Sequence, residues 1–320
     1  MPTSLVTGGA GFIGSHLVDA LLERGDDVRV LDNLTTGNLK NLHKNLDNLE
    51  FIDGDIRKPA DLKQALNGAD LVYHQAAFVS VPLSLEKSEL CLDVNVQGTR
   101  QLLELSKQAG VNRVILASSA AVYGDNQELP LSETGRTNPQ SPYASSKLIN
   151  EIFARMYTYQ LGLDVVALRY FNVFGPRQNP ESNYAAVIPI FVNHLVNKTP
   201  PVIFGDGKQS RDFVFVADVA QANILAASVP DAPGKVINIC SGVETSILDL
   251  LGMLSRIFNQ SIDPIFDNPR LGDIYRSLGD PALAQDLLSF FPKINMIDGL
   301  RNTANWMIRS RGKDIDLGFA

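Results

Sequence analysis

Cysteine is scarce: Cys91 and Cys240 are the only two in 320 residues, and they lie far apart. That excludes a disulfide framework and a cysteine-built zinc site; two buried thiols in a reducing compartment are expected. The histidines His16, His43, His74 and His194 are scattered, with no pair at metal-ligand spacing. No run approaches the roughly 18 apolar residues of a membrane span. The opening MPTSLVTGG has no basic region ahead of its apolar residues, which argues against a signal peptide and for a cytoplasmic location. The net charge is −7, and neither sign collects into a block. A nucleic-acid binder carries a basic stripe, and none is evident. An anionic substrate stays open, because a few well-placed arginines capture one against the net charge.

What is present is ordinary globular material, enough for a large core and two lobes. Short apolar runs alternate with helical patterns: TSLVTG, a helix from about Phe12 to Arg24, then DVRVLD, LEFIDGD and DLVYHQAA. A long helix ending near Gln108, then RVILASS, a helix opening at Ser141, and DVVALRYFN follow. Short strands separated by helices predict an α/β fold, a Rossmann-type doubly wound parallel sheet. After Asn172 the rhythm changes, starting with the Pro-, Gly- and Asn-rich VFGPRQNPES. The expected division is a principal domain over residues 1–171, with 211–239 returning to it, and a smaller C-terminal α/β lobe built from 172–210 and 240–320.

TGGAGFIG joins the first strand to the first helix and spaces Gly8, Gly11 and Gly14 as G-x-x-G-x-x-G. Glycines allow a tight turn and close backbone approach, and the helix start offers N–H groups to a pyrophosphate. Asp32 ends the second strand, where a ribose-binding acid belongs. Its carboxylate would repel the extra phosphate of NADP, and Asn33 and Leu34 supply no compensating arginine, so NAD is expected. Asp55 follows another strand end, where it either meets an adenine amino group or caps a turn. HQAA, with Gln75, Ala76 and Ala77, puts small residues where a flat cofactor passes. Asn95 in NVQGT either ties neighbouring backbone together or touches the ligand.

In SPYASSK, Ser141 caps a helix whose first turn suits Pro142. Tyr143 and Lys147 then share one helix face. A tyrosine titrates near pH 10, and an adjacent ammonium, together with a positive nicotinamide, favours the phenolate. Such a phenolate can take a proton from a sugar hydroxyl. Tyr-x-x-x-Lys alone equally describes a helix-surface pair. It gains meaning from LASSAAVYG, which puts Ser118 and Ser119 at the C-terminal end of a strand, where α/β sheets bind ligands.

Together TGGAGFIG, DNLTTG, GDIR, HQAA, NVQGT, SSAAVYG, YASSK, RYFNVFGPRQ, SRDFVFVADV and RLGD span the chain. The sequence resembles extended short-chain dehydrogenases/reductases of the UDP-sugar 4-epimerase family. The resemblance implies a catalytic trio of Ser119, Tyr143 and Lys147, with Tyr143 as base. It implies NAD contacts from Gly8, Gly11, Phe12, Ile13, Asp32, Asn33, Gly37, Asp55, Ile56, Gln75, Ala76, Ala77, Asn95, Ser118 and Tyr170, besides Tyr143 and Lys147. For the UDP-sugar it implies Ser80, Ser119, Tyr143, Asn172, Ala186, Val187, Arg211, Arg270, Asp273 and Ser277. The family oxidises carbon 4 of the hexose, lets the keto sugar turn, and reduces it from the other face.

Related dehydratases carry an Asp-Glu pair after the serine segment, and decarboxylases a Glu; here Ala120 and Ala121 stand there, which favours epimerisation. The residue gating the sugar pocket aligns with Ser277, small enough for an N-acetyl group, whereas a shifted register would put Tyr275 or Arg276 there. HQAAFVSVP and RYFNVFGPRQNP also look like the hexosamine-preferring branch, so UDP-GlcNAc/UDP-GalNAc is favoured over UDP-glucose/UDP-galactose. Rival readings are another sugar-nucleotide oxidoreductase on the same scaffold and a non-catalytic NAD-sensing protein. By analogy a homodimer is expected, through helices around 84–108 and 143–160; Leu148, Ile152 and Met156 would face the partner or the sheet.

Overall fold

The computed structural model describes residues 1–179, 186–269 and 274–312. The chain opens with β1 (Thr3–Thr7), α1 (Phe12–Arg24), β2 (Asp27–Asp32), β3 (Leu49–Asp53), α2 (Pro59–Leu66) and β4 (Leu71–His74). It continues through α3 (Val81–Glu86), α4 (Ser88–Leu92), α5 (Thr99–Ala109), β5 (Arg113–Ser119), α6 (Pro142–Leu161) and β6 (Asp164–Tyr170). Next come β7 (Asn172–Phe174), α7 (Val187–Val196), β8 (Val202–Phe204), β9 (Ser210–Phe215), α8 (Val216–Ser228) and β10 (Val236–Ile239). The last described elements are β11 (Glu244–Ser246), α9 (Ile247–Ile257), β12 (Ile265–Asp267), α10 (Ala282–Leu288) and α11 (Met296–Ser310).

Seven strands pair in parallel in the order β10-β6-β5-β4-β1-β2-β3. Because side chains alternate along a strand, neighbours enter different cores. Leu5 packs in a cluster with Leu62, Leu102, Leu103 and Ala154 on one face, and Val6 with Leu17, Val18, Ala222 and Ala226 on the other. The order reverses between β1 and β4. At that switch point the connections diverge and open a crevice along the C-terminal strand ends.

The smaller sheets are β11-β9-β7 and β12-β8. They share a third core with α7, α9 and α11, in which Phe174, Phe191, Phe213, Phe215, Leu254 and Met307 are buried. Here the expected return of 211–239 to the main sheet needs correcting. α8 and β10 do return, α8 against α1 and β10 beside β6. β9 instead pairs in parallel with β7, Phe213 opposite Asn172, because Phe213 and Phe215 stack edge-on with Phe174 rather than covering the large sheet.

Asp212, opposite in facing to Arg211 and Phe213 along β9, is fully buried. It accepts hydrogen bonds from Ser241 N (2.7 Å), Ser241 Oγ (2.7 Å), Gly242 N (2.9 Å) and Gly279 N (3.2 Å). Burial pushes this carboxyl up, and those donors pull it back. One side chain thus joins β9 to two otherwise irregular loops. Asp212→Ala should destabilise the fold by about 3 kcal/mol, since buried N–H groups lose their acceptor; a drop of several degrees in melting temperature by scanning calorimetry checks it, and an unchanged melting temperature refutes it.

Candidate active site

A cavity of about 1880 Å³ runs along the crevice from the β1–α1 turn, past the ends of β4 and β5, to β7, α7 and β9. At one end is the glycine turn. Gly8 has φ 70°, and a Cβ there would stand 2.6 Å from Ala76 N, so the turn and the β4 exit touch only because Gly8 has no side chain. Gly11 begins α1 with no side-chain cap and no acid in the first turn. The orphan N–H groups near Phe12 and Ile13 therefore keep their positive end, on the cavity wall.

Asp32 is buried, its Oδ2 accepting from Ala10 N (2.9 Å) and its Oδ1 from Leu34 N (2.8 Å). Burial raises its pKa, and the two backbone N–H groups oppose that. Each oxygen keeps a second lone pair. Gly37 leaves them accessible, because a Cβ there would lie 2.7 and 2.8 Å from the two oxygens. Asn33 donates to Asp55 Oδ2 at 3.1 Å, and Arg57 Nη2 reaches the same oxygen at 2.6 Å. Arg57 thereby holds the Asp55 carboxyl at about 2. Asp55 and Ile56 both line the cavity, Asp55 with its carboxylate committed to these neighbours.

Gln75, Ala76 and Ala77 form the floor. Gln75 Nε2 donates to Tyr170 Oη (3.1 Å) and to Asn223 Oδ1 (3.1 Å), and Tyr170 donates to the same Asn223 oxygen at 2.9 Å. Sequence reasoning missed Asn223, whose one signal was an amide in the apolar helix ANILAA. Asn95 is not on the wall. It lies on a wide helical turn over 93–98, where its side chain accepts from Phe78 N (2.7 Å) and donates to Phe78 O (3.0 Å) and Ser146 Oγ (3.0 Å). Of the two roles open to Asn95, the structure displays the tie between neighbouring backbones.

Ser119, Tyr143 and Lys147 converge mid-cavity. Ser141 caps α6 by accepting from Ala144 N at 3.1 Å, with Pro142 in the first turn. That places Tyr143 near the end of β5, on the same cavity wall as Ser119. Lys147 donates to Ala117 O at 2.8 Å and lies 5.8 Å from the Tyr143 ring centroid. The expectation that the ammonium and a positive nicotinamide together favour the phenolate concerns the loaded site. Among the protein's own groups, burial pushes the Tyr143 phenol up and Ser119 is what opposes it, while burial pulls Lys147 down to about 8.

Toward the smaller lobe the wall is made by Asn172, Ala186, Val187 and Arg211, with Phe171, Phe174 and Phe213. Arg211 donates to Ser210 O at 2.8 Å. Ser80 caps α3, accepting from Leu83 N at 3.2 Å, and also lines the cavity. Ser277 does not: it is buried against β9, donating its N–H to Ser210 O at 3.2 Å. Tyr275 turns to Asp206 (3.0 Å), and Arg276 pairs with Glu244 (2.7 Å). Arg270 and Asp273 fall outside the described residues. Among the described residues no cluster of His, Cys, Asp and Glu could hold a metal, and no helix is long and apolar enough to cross a membrane.

Residues 4–240 match the NAD dependent epimerase/dehydratase family. The chain belongs to that family. It is 41% identical over 305 residues to a putative UDP-glucose 4-epimerase of Methanocaldococcus jannaschii, covering 95% of this chain and 97% of the relative. The UDP-N-acetylglucosamine 4-epimerase of Methanobrevibacter ruminantium M1, solved with UDP-N-acetylmuramic acid, is 41% identical with a TM-score of 0.92, covering 97% of this chain and 99% of that one. The UDP-glucose 4-epimerase of Thermotoga maritima, solved with UDP-glucose, is 36% identical with a TM-score of 0.92 and the same coverage. The family's cofactor is NAD, and the residues present fit it: an uncapped helix start beside a glycine turn, and a buried carboxylate left open by Gly37.

Lys147 carries a stability cost. Its folded pKa of about 8 is below the ordinary 10.5, so between those values the unfolded chain binds more protons and stability rises with pH. Below pH 8 the cost is full, on the order of 3 kcal/mol. Lys147→Met should therefore melt no lower than the native protein at pH 7 while losing turnover, with the native protein gaining on it at pH 9.5. A variant that melts well below the native protein at pH 7 would contradict the linkage.

Proposed function

We propose that the chain interconverts UDP-sugars differing at carbon 4, UDP-GlcNAc and UDP-GalNAc before all others, as an NAD-dependent UDP-sugar 4-epimerase. The observation that carries this reading is the convergence of Ser119, Tyr143 and Lys147 on the wall of a cavity that also reaches Asp32 and Arg211. Bound NAD supplies the reversible redox partner that carbon 4 requires.

Tyr143 removes the proton of the sugar 4-hydroxyl and returns it after the sugar has turned. Ser119, beside that phenol on the cavity wall, holds the reacting oxygen and passes the proton. Lys147, its Nζ fixed by Ala117 O, contributes the positive charge that supports the phenolate. The phenol's upward push from burial means that Lys147 and Ser119 do not suffice by themselves, so proton abstraction is coupled to the seating of a positively charged ring. Arg211 holds a diphosphate oxygen, and Asn172, Ala186 and Val187 line the path of the nucleotide. The resemblance adds Arg270 and Asp273, outside the described residues, to that grip.

Ala120 and Ala121 occupy the turn after β5, where elimination chemistry would need a carboxylic acid and base. That supports epimerisation over dehydration. The hexosamine preference no longer draws support from Ser277, which lies off the cavity wall. It draws on the motifs RYFNVFGPRQNP and HQAAFVSVP and on the likeness to the M. ruminantium enzyme. Incubation with UDP-GlcNAc, UDP-Glc and their 4-epimers, resolved by NMR, tests it: conversion is expected with the acetylated pair, and turnover of only the plain hexoses rejects the preference. Tyr143→Phe should lower kcat by at least about 100-fold with UDP affinity held within about threefold; native turnover in that variant would end the acid–base assignment.

We also propose a homodimer through α4 and α6. Ile152 is 58% exposed and Met156, Leu90 and Leu92 are each 39% exposed, forming an apolar surface on adjacent helices. Leu148 belongs instead to the buried Val122–Phe171 cluster. Light scattering should give twice the chain mass for the native protein and a monomer for Ile152→Asp; a native monomer disproves the dimer.

A further inference from the structure

Glu151 lies one further turn along the face that carries Tyr143 and Lys147, and nothing in the proposed chemistry uses it. Its side chain is 4% exposed and its partner Arg169, on β6, 3%. The guanidinium forks onto the carboxylate, Nε to Oε1 and Nη2 to Oε2, both at 2.7 Å. Ser118 Oγ, on β5, donates to the same Oε1 at 2.6 Å. Arg169 also lies 4.7 Å over the Tyr123 ring, whose hydroxyl donates to Asn238 Oδ1 at 2.8 Å on β10.

From the reading of Tyr143 as the acid–base residue, we propose that the Glu151–Arg169 pair is a positioning device that sets α6 against β5 through Ser118, so that Tyr143 meets Ser119. Three elements meet at one carboxylate: Glu151 from α6, Ser118 from β5 and Arg169 from β6. Ser118 is adjacent in sequence to Ser119, and Glu151 shares its helix face with Tyr143. Fixing Ser118 to Glu151 therefore fixes the strand end relative to the helix start. Cohesion alone does not call for this chemistry, because a buried ion pair seldom holds elements together better than apolar side chains of like volume. Directional bonds do what apolar packing cannot, which is to set rotation and register. Proton transfer is sensitive to that setting, because misplacing a reacting group by about 1 Å costs on the order of 100-fold in rate.

Two variants separate positioning from stability. Glu151→Leu/Arg169→Met removes the pair and keeps the volume; Ser118→Ala keeps the pair and cuts the tether. Melting temperature, bound NAD, UDP affinity, kcat and the pH profile of kcat are measured for each. Loss of the Ser119 contact frees the phenol to rise, so the acidic limb of the profile moves to higher pH. The proposal expects, in both, kcat lower by about tenfold or more and a limb raised by about half a unit or more, with UDP affinity native in both and NAD content native in the double variant. Ser118→Ala should also melt within about 2 °C of the native protein. A double variant that melts normally and keeps native kcat and limb overturns the proposal, as does Ser118→Ala with an unmoved limb. Should the double variant not fold, Ser118→Ala decides alone. If Tyr143→Phe retains native turnover, the acid–base reading itself fails; if Tyr143→Phe is inactive while these variants stay native, only the positioning role does.

Discussion

The site depends on one geometric constraint: parallel strands end on a single edge, and the order of this sheet reverses between β1 and β4. The glycine turn, Asp32, Gln75 and Ser119 all follow strand ends and therefore share that edge. The connections leaving β1 and β4 go to opposite faces, so no backbone fills the gap between them. What closes the crevice is side-chain absence at Gly8 and Gly37, each of which lets two segments approach where a Cβ would collide. Placement of the cofactor is a property of topology first and of residue identity second.

Burial at the same edge shapes the chemistry. Burial raises Tyr143 and lowers Lys147, driving both toward their neutral forms when nothing else is present. A charged pair of this kind becomes favourable only with a further positive group or a hydrogen-bonding partner in place. The protein accepts the stability penalty of Lys147 in a fold whose three cores are large enough to carry it.

What the sequence reveals of this follows from the range of the interactions. The glycine turn, the Ser141 cap and the Tyr143–Lys147 spacing are local, so composition and period suffice to read them. β9 was harder, because FVFV alternates in the same way whichever sheet receives it; Phe174, some forty residues earlier, decides the matter. Ser277 lies off the cavity wall for a related reason. Its position follows from backbone pairing of Ser210 with Arg276, a contact between distant segments that spacing from the GD pair does not encode. Asn223 and Arg169 are polar residues in apolar stretches, visible as oddities, yet their partners exist only once α8 and α6 have docked.

Asp212 shows how far these distant contacts reach into the site. Arg211 beside it faces the cavity, while Asp212 faces the loops at 241–242 and 279. The strand alternation that turns an arginine to the cavity thus aims a carboxylate at the backbone behind it. Three segments distant in sequence become one rigid wall through a single side chain. An epimerase has to grip the nucleotide while leaving the sugar free to turn, and a wall locked from behind supplies grip without adding contacts around the hexose. On the proposed function, firmness at the diphosphate and latitude at carbon 4 would come from different residues, so that both fit in one cavity.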